Sequence, residues 1–308
     1  MAALVRAAGG RPQAWPALVM LALLACSGEP ASEQHEVETQ AFACLEPTKL
    51  SFTADPGDAD EAYVCFGFDA TAPTRAELGG IVWSPPDAAS ATLLHHATLY
   101  AVPMDFGDGP VPCDGMPAGA VGLHVWSPGG NNLELPADTA LVIPPATQRF
   151  VVEAHVRRVQ TGAARKASVS LCGASSTVAH HAAFLGYSAP VPALRPMHDE
   201  ETDGACQLPS DAHLWSVWPH MHLAGREIAV SMLSASGESR TLVDVDPWSF
   251  HQQRTYRVSV DAEAGDTLQT HCRWHNDTGS YIFGGPRTED EMCNTGLIVW
   301  PAEAAACR

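Results

Sequence analysis

After its first forty residues the chain alternates short apolar segments, rich in Val, Leu, Phe and Tyr, with breaks built on Gly, Pro, Asp or Asn. In the first half these segments are 63–68, 80–83, 92–102, 119–126, 139–143, 150–155 and 167–171. The second half continues in the same style at 214–222, 227–233, 239–243, 254–260, 267–275 and 296–300. Segments of this length bounded by turn formers predict strands that bury one face each, so the pattern reads as all-β sandwich architecture. Helical periodicity is confined to the extreme N-terminus.

Composition then sets the scale. The 308 residues are 46% hydrophobic and 17% charged, enough for one large core or two ordinary ones, and two domains is the expectation. The widest Pro-rich interruption, residues 189–204 (APVPALRPMHDEETDG), marks a linker between domains at 41–188 and 205–308. Against 35 Asp and Glu stand only 17 Lys and Arg, a net charge of −18 with no basic cluster. Binding to nucleic acid is therefore excluded.

The N-terminus carries Arg6 and Arg11, then the apolar run 17–25 ending at Cys26. This reads as a secretory leader, too short to span a membrane as a helix. Its end, Leu23-Leu24-Ala25-Cys26, resembles a bacterial lipoprotein signal. The expectation is a signal peptide at 1–25, a lipid on Cys26, and a polar tether over 26–40. The protein would then be exported and anchored to a bacterial membrane, on its periplasmic or cell-surface side, through that lipid alone. Eight further cysteines, an even number, imply disulfides in an exported chain. Four lie on either side of the Pro-rich break, although spacing alone leaves their pairing open.

Fourteen histidines include the pairs His95-His96 and His180-His181 and the motif Trp218-Pro-His-Met-His-Leu-Ala-Gly-Arg226. Residues two apart on a strand share a face, so His220 and His222 can reach one metal while Met221 points away. Adjacent strand residues face opposite ways, and His95 and His96 can share a metal only where the strand ends, twists or bulges. His155 closes the apolar segment 150–155, and Met292 stands in the polar stretch Glu289-Asp-Glu-Met-Cys-Asn294. Acidic residues around Met292 read as a solvated rim rather than acid/base catalysts, and His213 as structural or as a support for a ligand rather than a ligand itself. Imidazoles with a thioether point to copper cycling between Cu(I) and Cu(II), because a soft sulfur favours Cu(I).

In combination these features resemble the copper type II, ascorbate-dependent monooxygenases, the family of peptidylglycine alpha-hydroxylating monooxygenase and dopamine beta-monooxygenase. The resemblance is carried by His95-His96, His155, His220-Met-His222-Leu-Ala-Gly-Arg226, Gly284-Gly285 followed by Asp290-Glu-Met292-Cys293, and the cysteine framework. It implies two tandem jelly-roll-like antiparallel β-sandwich domains facing one another across a solvent-filled cleft, with two coppers per chain. His95, His96 and His155 would hold an electron-transfer copper, and His220, His222 and Met292 the catalytic copper. Implied disulfides are Cys44 with Cys172, Cys65 with Cys113, Cys206 with Cys307 and Cys272 with Cys293. The implied reaction is hydroxylation of a C–H bond of a small organic substrate by O2, with ascorbate or a similar small reductant supplying electrons.

Two positions depart from the peptide-acting members. Where those enzymes hold a substrate carboxylate with an Arg before the His-x-His motif and an Asn and a Tyr after the Met-Cys pair, this chain has Trp218, Asn294 and Gly296. Asn294 and Trp218 are thus the candidate substrate contacts, and Trp218 points to a more apolar or aromatic ligand. Two other readings remain: a non-catalytic copper-binding or copper-handling surface lipoprotein, and a cupin-like dioxygenase using Glu227 after the His-x-His motif. The cupin pattern lacks its flanking glycines, with Leu214 and Ser234 in their places.

Overall fold

The alternation that marks a strand also determines what each one buries. In β9 (Arg149–Arg157), Phe150, Val152, Ala154 and Val156 enter the main N-terminal core, while Val151, Glu153 and His155 project from the opposite face. A computed structural model describes residues 42–308 except 56, 58, 71–76, 85–93, 114 and 158–164. The expected leader, Cys26 and tether lie outside the described residues.

Eighteen strands are described. Those of the N-terminal half are β1 (Leu45–Ala54), β2 (Glu61–Asp69), β3 (Glu77–Ser84), β4 (Leu94–Val102), β5 (Val111–Pro112), β6 (Val121–Trp126), β7 (Leu133–Glu134), β8 (Thr139–Val142), β9, β10 (Arg165–Gly173) and β11 (His180–Ser188). The remainder are β12 (Asp199–Gln207), β13 (Ala212–His220), β14 (Gly225–Leu233), β15 (Ser239–Val245), β16 (Tyr256–Ala262), β17 (Thr267–His275) and β18 (Asn294–Trp300). No helix among the described residues is long and apolar enough to cross a membrane.

Three sheets make the sandwich. A nine-stranded sheet runs β1-β10-β3-β8-β11-β18-β13-β16 with β7 beside β3. Its first half packs on a five-stranded sheet, β5-β2-β9-β4-β6, around a core that includes Phe52, Ile81, Leu99, Phe150 and Leu171. Its second half packs on a four-stranded sheet, β12-β17-β14-β15, around Leu208, Leu214, Val230, Leu268 and Leu297. The long sheet is continuous across the middle because β11 pairs in parallel with β8 and antiparallel with β18. All other pairings within the sheets are antiparallel.

The Pro-rich segment expected to be a linker is packed rather than loose. Leu194 is buried beside Trp274, Met221 and Trp248, and bridges to Ile282. Residues 199–207 form a complete edge strand, whose outward Asp199 and Asp203 accept hydrogen bonds from His275 and His271 of β17. Four disulfides staple the layers: Cys44–Cys172, Cys65–Cys113, Cys206–Cys307 and Cys272–Cys293. Bonds of this kind persist in oxidising compartments, which fits an exported protein.

Candidate metal centre

The outer face of the five-stranded sheet carries the first group of donors. Antiparallel register sets Tyr63 of β2 and His96 of β4 on either side of His155 of β9. Between Leu94 and His96 the ladder slips by one residue, a bulge that adds His95 at the mouth of the strand. That irregularity is what two adjacent histidines need to face one point. One ring nitrogen from each of His95, His96 and His155 lies within 4.8 Å of the others.

Hydrogen bonds select which nitrogens are free. His155 Nε2 donates to the Glu61 carboxylate, leaving its Nδ1 without a proton, 3.4 Å from His96 Nδ1. His95 Nδ1 is buried and has no hydrogen-bond partner among the described residues. Partial burial works against ionisation of Glu61, but hydrogen bonds from Thr288 and His155 outweigh it and hold the carboxyl below its usual range. Tyr63 completes the arrangement, its ring stacked on His155 at 4.2 Å between centroids.

The second group sits where β13 ends. His220 is the last residue of that strand and His222 follows in the turn, while Met221 is fully buried in a separate core with Trp274. The two rings stand 5.1 Å apart and nearly perpendicular. His220 Nδ1 donates to Gln253 Oε1 at 2.6 Å, and Gln253 is held in turn by donating to the Phe250 carbonyl. His222 Nδ1 donates to the Asp290 carbonyl, and its Nε2 is buried with no partner among the described residues. Nε2 is therefore the nitrogen that each ring offers to a metal.

Met292 lines the same cavity as His220 and accepts a hydrogen bond at Sδ from the Asn294 side-chain amide, 3.1 Å away. Next to it, Glu291 is 1% exposed and is no part of a solvated rim. Its carboxylate accepts from the backbone of His222, Ala224 and Met292 and from the indole of Trp274. Burial pushes the Glu291 carboxyl above its usual range, and these donors pull it part of the way back. The acidic residues here thus differ in role: Glu289 is exposed, whereas Glu291 ties the His-x-His turn to the methionine.

The two groups adjoin. His96 and His220 rings are 5.6 Å apart, and Phe250 packs on His95 at 4.0 Å and edge-on to His222 at 6.1 Å. This differs from the expected faces across a solvent-filled cleft, because the segments 248–253 and 284–292 fill the space between them. A cavity of about 660 Å³ opens beside the contact, lined by Tyr63, Tyr100, Glu153, Phe184, Trp218 and Asn294 as well as His96, His220 and Met292. Trp218 stacks on His220 at 4.8 Å and donates its indole N–H to Ser127.

The donors fit copper. Neutral imidazoles with inward lone pairs suit a borderline metal, the thioether adds a soft ligand, and no carboxylate enters either His set to favour a hard cation. Of the other described histidines, His213 bonds Asp261 and Ser259, His181 bonds Glu77, and His124 Nδ1 accepts from the Trp83 indole. Glu61, Gln253 and Phe250 carry no local sequence signal, since only the fold brings them to the donors, and Glu291 stands in the Met292 motif with nothing nearby to mark it as buried.

Burial also predicts a pH dependence. It pushes His95 down to about 3 and His124 to about 4, and holds His96, His155, His220 and His222 below the ordinary range. In the unfolded chain the same rings protonate near pH ~6.5. Below that pH the unfolded state binds more protons, so each ring kept neutral by folding lowers stability by about 1.4 kcal/mol per pH unit. Glu291, raised on folding, acts with the opposite sign and can offset only one ring. The urea midpoint of the metal-free protein is expected to fall between pH 7 and pH 5; a midpoint that holds or rises would contradict this account.

Comparison with known proteins finds similarity in the second half of the chain. Residues 183–308 match the family profile described as copper type II ascorbate-dependent monooxygenase, C-terminal domain. DBH-like monooxygenase protein 1 of Homo sapiens is 29% identical over 119 residues, covering 34% of this chain and 19% of that protein. Putative DBH-like monooxygenase protein 2 of Homo sapiens is 32% identical over 105 residues, covering 33% and 21%. The aligned part is thus about a fifth of these relatives' own length. A solved structure of the N-glycanase PNGase F covers 83% of this chain and 96% of its own at 9% identity, with a TM-score of 0.38, too low to carry an argument. Residues 183–308, which contain His220, His222 and Met292, are thus similar to the C-terminal domain of the copper type II, ascorbate-dependent monooxygenases.

Proposed function

We propose that the protein is a copper-dependent monooxygenase that hydroxylates a C–H bond of a small organic substrate, consuming O2 and two electrons from ascorbate or a similar one-electron donor. The observation that carries the proposal is that two groups of donors adjoin, the His96 and His220 rings 5.6 Å apart, with His96, His220 and the Met292 thioether lining one cavity. In this reading His95, His96 and His155 hold one copper and His220, His222 and Met292 the other. Copper there supplies one-electron redox chemistry and a place for O2 to react. The balance is one O2, two electrons and two protons for one inserted oxygen atom and one water.

The chain's own contribution is orientation and exclusion of water. Gln253 and the Asp290 carbonyl fix the His220 and His222 rings, and the Asn294 amide turns the Met292 sulfur. With one Asn294 N–H engaged, its carbonyl and its second N–H are left to meet substrate. Trp218, Phe184, Tyr63 and Tyr100 give the cavity aromatic walls, which suit a substrate with an apolar or aromatic body. The two donor groups correspond to N-terminal and C-terminal copper domains, 41–188 and 205–308, joined by the shared long sheet. Export, with a lipid on Cys26, completes the proposal.

The test is O2 uptake by the copper-loaded chain with ascorbate and a panel of small aromatic and aliphatic substrates. Uptake that rises with a substrate and matches hydroxylated product one to one is expected. Uptake yielding only hydrogen peroxide with every substrate would count against the enzyme. His155→Ala is expected to lower bound copper by about one per chain and to end steady-state turnover, since truncating a ligand costs more than the ~10–100-fold affinity loss of removing an outer partner. Unchanged copper in that variant would show the first group to be misread.

A further inference from the structure

Glu61 opens β2, and one of its oxygens, Oε1, is met from two directions. His155 Nε2 donates to it, and Thr288 donates to the same atom through its backbone N–H at 2.9 Å and its hydroxyl at 2.7 Å. Thr288 is 2% exposed and lies in the segment that leads to Met292. Two residues along β2, Tyr63 repeats the arrangement: its ring stacks on His155 and its hydroxyl donates to the Pro286 carbonyl at 2.5 Å. Strand alternation places residues 61 and 63 on one face, so a single stretch of β2 grips a ligand of the first group and the segment carrying the sulfur of the second.

We propose that Glu61 is a positioning residue that couples the two copper sites, its Oε1 both orienting His155 and docking the Met292 segment through Thr288. The proposal rests on the copper reading above. Holding the proton on Nε2 keeps the His155 Nδ1 lone pair turned toward His96. Without the carboxylate, the ring is free to turn and the buried Thr288 hydroxyl and N–H lose their acceptor, which drives the segment and Met292 to shift. Coupling of binding free energies is reciprocal, so disturbing the Thr288 end must also be felt at His155.

The experiment uses the full chain with disulfides intact, as wild type, Glu61→Gln, Thr288→Val, Thr288→Ser and the Glu61→Gln/Thr288→Val double variant. Cu(I) affinities are measured by competition with a chromogenic chelator. X-ray absorption separates the sulfur-containing site from the nitrogen-only site, and thermal unfolding of the metal-free proteins confirms folding. Thr288→Val is expected to weaken the nitrogen-only site, which Thr288 does not touch, by about 10-fold as well as the sulfur site. Thr288→Ser, which keeps the hydroxyl, restores both, and in the double variant the second substitution adds little. A wild type that binds two coppers, with Thr288→Val affecting only the sulfur site or with additive effects in the double variant, overturns the coupling alone. A wild type that takes up no copper overturns the copper reading and this inference with it.

Discussion

Met292→Ile is expected to leave the chain folded and to abolish product formation. Isoleucine has nearly the volume of methionine, and a swap of this kind costs less than about 1.5 kcal/mol. Met292 is only partly buried and contributes to the wall of a cavity rather than to a sandwich core. What it loses is chemical: the sulfur that accepts from Asn294, on a residue that lines the same cavity as His220. Two imidazoles without a thioether form a harder site, which shifts preference from Cu(I) toward Cu(II). Copper affinity of the reduced protein at that site is expected to drop by ~100-fold or more, beyond what losing an outer partner costs. Full turnover by the variant, with a wild-type copper–sulfur signal absent, would show that Met292 is not part of the working site.

Glu291→Ala should be the most damaging single change away from the ligands themselves. Its carboxylate satisfies four donors, the N–H groups of His222, Ala224 and Met292 and the indole of Trp274, in a region sealed from water. Each buried donor left without an acceptor costs about 1–3 kcal/mol, so the variant is expected to lose about 4 kcal/mol or more. The Trp274 ring is fully buried in the core that also contains the Cys272–Cys293 bridge, so the loss reaches that packing. Glu291→Gln keeps the volume and one acceptor oxygen but turns an amide toward backbone donors, and should be intermediate. The urea midpoints should rank wild type, Gln, Ala, with copper at the sulfur site lost in the same order. An Ala variant as stable as wild type would mean that the carboxylate does not organise the turn.

What could be read from the sequence was what is encoded locally. Segments such as 150–155 and 267–275 announce strands because their side chains alternate or remain apolar throughout, and β9 and β17 lie there. His95-His96 carried its own condition, a bulge, and the ladder slips at that point. The first six residues of β12, 199–204, fall within the expected linker because they follow the Pro-rich stretch and are nearly all polar. β12 is an edge strand whose outward carboxylates pair with His275 and His271 of its single neighbour, and whose inward positions near its end are the small Gly204 and Cys206. Charge on an edge protects it from further pairing, and it also hides the strand from a hydrophobic pattern.

The supporting shell was illegible for a different reason. Glu61 lies 94 positions from His155 and 227 from Thr288, and Gln253 lies 33 from His220. Nothing in the neighbourhood of a lone Glu or Gln states which ring it will orient; that depends on the register of β2 against β9 and on where the 248–253 segment folds over. The same holds for the contact between His96 and His220, which arises from the continuity of the long sheet through β11 and not from any motif.

The proposal assigns five imidazoles and one thioether to two adjoining copper sites, with His96, His220 and Met292 lining one cavity. The most direct test is tightly bound copper per chain after reconstitution and dialysis of the disulfide-intact protein, with X-ray absorption to identify the donors. Two coppers are expected, one with nitrogen donors only and one with a sulfur contribution that disappears in Met292→Ile. One copper or none, or two without sulfur in the wild type, would contradict it.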